Sequence, residues 1–219
     1  MNIFKSVASL LALTVLSAGV ANAEDSNFGI GVRAGTLGLG AEIRWAPVPI
    51  VDFRVGANAY DLGSNGQYAG IDYDATFELE SYYLTANINF PLSPFRITAG
   101  VFSNSNQMAM VGSEAVSYNI GGTIFSPAEV GTLTSTTTFD DVATYVGIGI
   151  DFEIFGKAGL NFDLGVLLQG DPVVTLESNM ESANALLRDA IVIETAGLTD
   201  KMEYLKAYPV ISLSIIYNF

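Results

Sequence analysis

From Asn27 to the C-terminus the sequence alternates, residue by residue, between apolar side chains and polar or small ones, in one short run after another. The last run shows it most fully. Ile211, Leu213, Ile215, Tyr217 and Phe219 share one parity, and Ser212, Ser214 and Asn218 the other. Successive strand side chains point to opposite faces, so such a run reads as a strand with one greasy and one polar face. Seven earlier runs repeat the pattern. Their apolar sets run from Phe28 to Ala34, Leu39 to Trp45, Phe53 to Ala59, Tyr82 to Phe90, Phe95 to Val101, Val142 to Ile154 and Phe162 to Leu168. A period of two, held through eight runs, predicts an all-β chain.

The connections carry a second pattern. Those after the second, fourth and sixth runs are short and built on Pro or Gly: Pro47-Val48-Pro49, Pro91 to Pro94, and Phe155 to Gly159. Those after the third, fifth and seventh are long and polar: a loop carrying Asn65-Gly66, then Met108 to Thr137, then Ser178 to Tyr204. The turn after the first run, Gly35 to Gly38, is unusually tight and predicts a low rim there. Short turns at one end, long loops at the other and an even strand count are the pattern of outer-membrane barrels. The predicted fold is an eight-stranded antiparallel transmembrane up-and-down β-barrel, with short periplasmic turns and longer extracellular loops. Its last strand closes onto the strand at Phe28. A soluble sandwich would have to bury the Phe/Val/Ile face against a second apolar face, and the chain offers none. Beyond residue 23 no stretch approaches the ~20 apolar residues of a membrane helix. There is no Cys, so no disulfide framework is available.

Residues 1–23 read as a secretory signal peptide. Lys5 gives the basic start, Leu10 to Leu16 the apolar core, and Ala21-Asn22-Ala23 a small-x-small cleavage site. Cleavage after Ala23 leaves residues 24–219 as the barrel, exported to the bacterial outer membrane. A terminal Phe219 with Tyr217 two residues earlier resembles the assembly signal of bacterial outer-membrane barrels. The partners this implies are the barrel-assembly machinery, outer-membrane lipid and lipopolysaccharide. Charge is strongly acidic, 23 Asp plus Glu against 9 Lys plus Arg. A nucleic-acid partner would call for a basic patch and is not expected.

Several segments resemble one family, the small eight-stranded outer-membrane barrels of the CarO type, associated with ornithine uptake and carbapenem susceptibility. Ala143 to Gly149 (Ala-Thr-Tyr-Val-Gly-Ile-Gly) is similar to the family's sixth strand, with Thr144 in place of an expected Pro. Gly165 to Leu176, holding Gln-Gly-Asp-Pro-Val-Val, resembles the seventh strand and its exit. Gly35 to Gly40 resembles the first hairpin. Tyr118 to Leu133, with Pro-Ala-Glu-Val-Gly, resembles an outer-loop hairpin, and Tyr208-Pro-Val opens a similar last strand. The resemblance spans most of the exported chain and implies a porin-like barrel. Its motifs are short and specify the barrel better than any cargo.

Chemistry is expected on the polar faces. Arg33, Glu42, Arg44, Asp52, Arg54, Arg96, Asp151, Glu153 and Asp163 all fall there. An eight-stranded barrel is only just wide enough for its own side chains, so these nine form either a structural ion-pair network or a narrow polar pathway. Interior Gly29, Gly31, Gly40, Gly56, Gly100, Gly147, Gly149 and Gly165 leave room for a channel or for bulky neighbours such as Tyr145. Ser212 and Ser214 should line the same lumen. Asp72, Asp74, Glu78, Glu80, Asp140 and Asp141 are expected to make an acidic extracellular mouth, which concentrates cations. Asp72-Tyr73-Asp74 lacks the ligand spacing of a calcium loop, so no metal is expected. In the last loop Ala183, Leu186, Leu187, Ala190 and Ile191 recur at helical spacing. They predict a short helix capped by Ser178 or Asn179 and ended by Gly197. It would pack on the rim or on the loop hairpin near Phe125, or act as a lid.

The chain has no His. A hydroxyl nucleophile needs a base of near-neutral pKa, usually His, so no enzymatic activity and no cofactor are expected. The leading functional expectation is a narrow porin-like channel or uptake facilitator for small polar or cationic solutes such as basic amino acids. The alternative is a non-conducting structural or surface-interaction, adhesin-like barrel. A carrier of apolar compounds is disfavoured by the charged lumen.

Overall fold

The computed structural model describes residues 27–68, 71–115 and 117–219. The leader, with Ala21 and Ala23, lies outside the described residues. In chain order the strands are β1 (Phe28–Gly35), β2 (Gly38–Val48), β3 (Val51–Tyr68), β4 (Ile71–Asn89), β5 (Phe95–Asn104), β6 (Gln107–Ala115), β7 (Tyr118–Ile120) and β8 (Thr123–Phe125). A one-turn helix α1 (Pro127–Val130) precedes β9 (Leu133–Thr138), β10 (Val142–Phe155), β11 (Ala158–Leu168) and β12 (Val173–Ser178). Helix α2 (Ala185–Met202) then leads, through a 3-10 turn at Glu203–Lys206, to β13 (Ala207–Asn218).

Eight strands close a ring: β1, β2, β3, β4, β5, β10, β11 and β13, each antiparallel to its neighbours, with β13 paired back onto β1. The seam opposes Ile30 to Tyr217 and Ala34 to Leu213. The inner end of the ring bears β1's start and β13's finish. Outward positions carry the apolar set of every run. Val32, Leu84, Ile148, Leu164 and Ile215 all remain exposed, Val32 by 63 %. A continuous apolar belt of this extent far exceeds what a water-facing monomer shows. Aromatic rings gather at its inner edge: Trp45 stacks between Phe28, 6.4 Å away, and Phe53, at 5.7 Å, and Tyr217 meets Phe219 edge-on at 5.7 Å.

Above the ring the wall continues as a sheet. Asn65-Gly66 does not turn the chain: Asn65 pairs with Asp74, and the hairpin runs on to Tyr68 and Ile71. The lower half of β4 pairs with β5, from Ser81–Asn104 to Asn89–Arg96, whereas its upper half pairs with β6. β9 joins β6 and β12 joins β9, so the loop expected at 108–137 is largely strand, whereas the one expected at 178–204 is helical. The β7–β8 hairpin, α1 and α2 enclose a separate apolar core of Tyr118, Ile120, Phe125, Val130, Leu133, Leu176, Leu187, Ala190 and Ile191. Helix α2 starts later than the sequence suggested. Its cap is Asn184, whose side chain accepts from the Leu187 N–H at 3.3 Å. It runs through Gly197 to Met202 and covers the hairpin near Phe125.

Candidate functional site: the closed lumen

The inward parity of the ring strands brings the predicted charges together near the inner end. Arg54, on β3, meets Asp52 at 3.0 Å, Asp151 at 3.3 Å and Glu42 at 3.9 Å. Arg96 spans to Asp151 at 2.9 Å and also pairs with Asp163. Arg33 stands 3.8 Å from Glu42 and donates to Ser212, and Arg44 stands 3.6 Å from Asp52. Glu153 lies at the inner rim. Buried charge is tolerable only when paired and hydrogen-bonded, and neutral groups complete these shells. The Asn87 and Asn89 amides each donate to Asp52 at 2.8 Å, and the Tyr83 hydroxyl donates to Glu42 at 2.7 Å. Arg96 donates to Thr98 at 2.8 Å, and Thr98 to Asn87 at 2.7 Å.

Glycines set how these side chains lie. A Cβ on Gly149 would sit 2.5 Å from the Arg96 guanidinium carbon, one on Gly56 2.5 Å from Tyr83, and one on Gly165 2.5 Å from the Tyr145 hydroxyl. The room they leave is occupied by bulky neighbours lying flat on the wall.

The outer half of the lumen is apolar. Tyr83, Phe102 and Tyr145 pack in series, with ring centroids 5.0 and 5.6 Å apart, and Leu37, Ala143, Leu167 and Val210 complete the layer. Phe102, Leu167 and Val210 here, and Ile216 beside the inner recess, stand on the polar parity, where only their position, not their type, betrays an inward side chain. Above them, at the neck, lies a buried amide and hydroxyl layer of Asn58, Ser81, Asn104, Asn106, Thr137 and Gln169. Below, a recess of roughly 240 Å³ opens at the inner end, lined by Arg44, Arg54, Asp151, Glu153, Asn161 and Asn218 among others.

The expected acidic mouth is spread out. Asp74, Glu78 and Glu80 share β4's outward parity, on the face of the hairpin turned away from the axis, and Asp140 and Asp141 lie between β9 and β10. The side chain of Asp72 lies outside the described set. Outside the ring, the Ser126 backbone N–H holds the Glu129 carboxyl below the usual carboxylate range, in a capping box at α1. Lys206 is raised by its bonds to Asp171 and Glu203. Among the described residues no group of three or more Asp, Glu, His or Cys could hold a metal.

These features define a closed eight-stranded antiparallel barrel with an apolar exterior and an interior charged in its inner half and apolar in its outer half, carrying extra strands and helix outside the ring. No protein-family model and no curated protein matches the chain. Solved structures do, two of them as follows. Acinetobacter baumannii CarO2 superposes with a TM-score of 0.63 at 22% identity, over 90% of this chain and 100% of that one. Acinetobacter baumannii CarO gives 0.57 at 20%, over 87% and 97%. At such identities the likeness is one of fold.

Proposed function

We propose that this chain is an integral barrel of the Gram-negative outer membrane, a narrow porin-like facilitator for small polar or cationic solutes such as basic amino acids, held closed in the conformation described. The apolar belt with its inner aromatic edge supports the membrane setting, with lipid and lipopolysaccharide outside. The leader at residues 1–23, cleaved after Ala23, supplies export, and Tyr217 and Phe219 supply the signal to the assembly machinery. No catalytic role is proposed for any residue.

One observation carries the transport reading. The recess presents cationic Arg44 and Arg54 beside anionic Asp151 and Glu153, with the buried Arg33–Glu42 and Arg96–Asp163 pairs and the apolar layer beyond it. Opposed charges in a narrow low-dielectric space orient a zwitterion or a cation. In proteoliposomes the protein should admit radiolabelled lysine faster than glutamate, and Asp163→Ala should abolish the difference. Uptake no faster than in protein-free vesicles would refute the reading.

A second reading has its own support. The outer sheet and helix α2 hold an apolar core independent of the lumen, more structure than closing a barrel requires. A non-conducting surface-interaction barrel would keep its role with Asp163→Ala and lose it when the outer core is disrupted.

A further inference from the structure

The two-residue turn between β1 and β2 does more than lower the rim. Leu37 at its tip is only 4 % exposed and packs into the lumenal cluster with Tyr83, Phe102, Ala143, Tyr145, Leu167 and Val210. An apolar tip on an outer turn would ordinarily face lipid or water; this one is turned into the barrel. The backbone is shaped to send it there. Gly38, next in the chain, has φ of +98°, and a Cβ on it would lie 2.5 Å from the Ala59 carbonyl oxygen. Only glycine relieves both constraints.

The other side of the turn is stapled to β13. The Thr36 N–H donates to the Ile211 carbonyl at 2.9 Å, and the Thr36 hydroxyl donates to the Pro209 carbonyl at 3.0 Å. The Ile211 N–H donates to that hydroxyl at 3.1 Å, and the Tyr208 hydroxyl donates to the Thr36 carbonyl at 2.8 Å. Pro209 has no N–H to offer a ladder, so side chains of Thr36 and Tyr208 do what backbone pairing cannot. These bonds all reach one short segment, 208–211.

The rings below Leu37 are anchored differently. Tyr83 belongs to the wall and is tied to Glu42, with the Arg33 guanidinium 5.0 Å above its ring. Phe102 stacks on Tyr83. Tyr145 lies against Gly147 and Gly165, and its hydroxyl has no hydrogen-bond partner among the described residues. Of the cluster, Leu37 alone comes from a turn rather than from a strand.

We propose that Leu37 is a plug closing the outer end of the lumen, and that the staple from Thr36 to Tyr208, Pro209 and Ile211 is the latch that keeps it seated. The role in regulating passage rests on the facilitator reading; the plug itself does not. The chain contains no Cys, so a single introduced thiol is a clean reporter. Ala143→Cys places one in the cluster at a position with no exposure. With Leu37 in place, a cationic methanethiosulfonate reagent should modify it slowly. Adding Leu37→Ala should raise the rate at least tenfold, and adding Tyr208→Phe, which removes one latch hydroxyl, severalfold. Folding of each variant is checked by heat-modifiable migration. If Leu37→Ala does not fold, Tyr208→Phe carries the test alone. Equal rates in folded backgrounds would overturn the plug. Lysine uptake by the same variants separates the two ideas. Faster labelling without uptake in any variant leaves the plug standing and removes the facilitator; uptake with unchanged labelling does the reverse.

Discussion

Replacing Arg54 with Met tests the lumen network where it is most connected. Arg54 is almost fully buried and stands within 3.9 Å of three carboxylates, those of Asp52, Asp151 and Glu42. Met roughly keeps the volume, so the effect is electrostatic. Removing one partner of a buried pair costs ~3–5 kcal/mol, because the other charge is left uncompensated. The three carboxylates are not equally stranded. Asp151 borders the recess, with a side chain 29% exposed, and keeps Arg96. Glu42 keeps the Tyr83 hydroxyl and Arg33, and Asp52 keeps two amides and Arg44. The low end of the range therefore applies, about 3 kcal/mol, or on the order of 10²-fold in the folding equilibrium. Adding Asp52→Asn removes one stranded charge and should recover roughly 1–2 kcal/mol, so the cycle should be non-additive by at least ~0.5 kcal/mol. Equilibrium urea unfolding in lipid vesicles, followed by fluorescence, measures all four corners. A cost below about 1 kcal/mol for Arg54→Met, or additive effects, would refute a coupled network.

The other predictions concern packing and pH. Gly165→Ala pushes a methyl into the Tyr145 ring and should destabilise the barrel by ~1–3 kcal/mol, and Tyr145→Leu should suppress much of that cost; equal costs with and without the ring would contradict the cradle. Leu187→Ala should cost ~2–5 kcal/mol in the outer core alone. Hydrogen exchange should rise across residues 185–202 while heat-modifiable migration of the barrel stays unchanged. Glu129 has its folded pKa lowered, so its contribution to the α1 cap is fully present above the ordinary carboxylate value of about 4.3 and is lost as pH falls through the depressed one. An NMR titration of the Ser126 amide should show a midpoint below that ordinary value, and a midpoint at it would contradict the capping box.

The ring was legible because outward apolar and inward polar positions hold a strict period of two, and Pro or Gly punctuates it. Parity puts Ile30 and Tyr217 on one face; that they oppose each other is register, which only the structure gives. Where a covered face meets hydroxyls and amides as well as apolar groups, nothing enforces alternation. Leu133–Thr138 (Leu-Thr-Ser-Thr-Thr-Thr) has almost no apolar contrast, yet it is the central strand between β6 and β12. Asn65-Gly66 carries a hairpin signal, but pairing along β3 and β4 overrides it. Helix α2 crosses Gly197 because tertiary packing outweighs a propensity cost of ~1 kcal/mol. The charged half of the lumen was readable from parity plus residue type. The apolar half was not, since Phe102, Leu167 and Val210 read as exceptions to a polar face, and Leu37 belongs to a turn with no parity at all.

The central claim is that the apolar faces of this ring meet lipid while the charged faces meet one another. Trp45 is the chain's one tryptophan, outward-facing at the inner aromatic edge. In refolded protein its fluorescence should be quenched by lipid brominated near the headgroup, much less by lipid brominated at the midplane, and hardly by aqueous iodide. Strong iodide quenching with no response to brominated lipid would contradict the account.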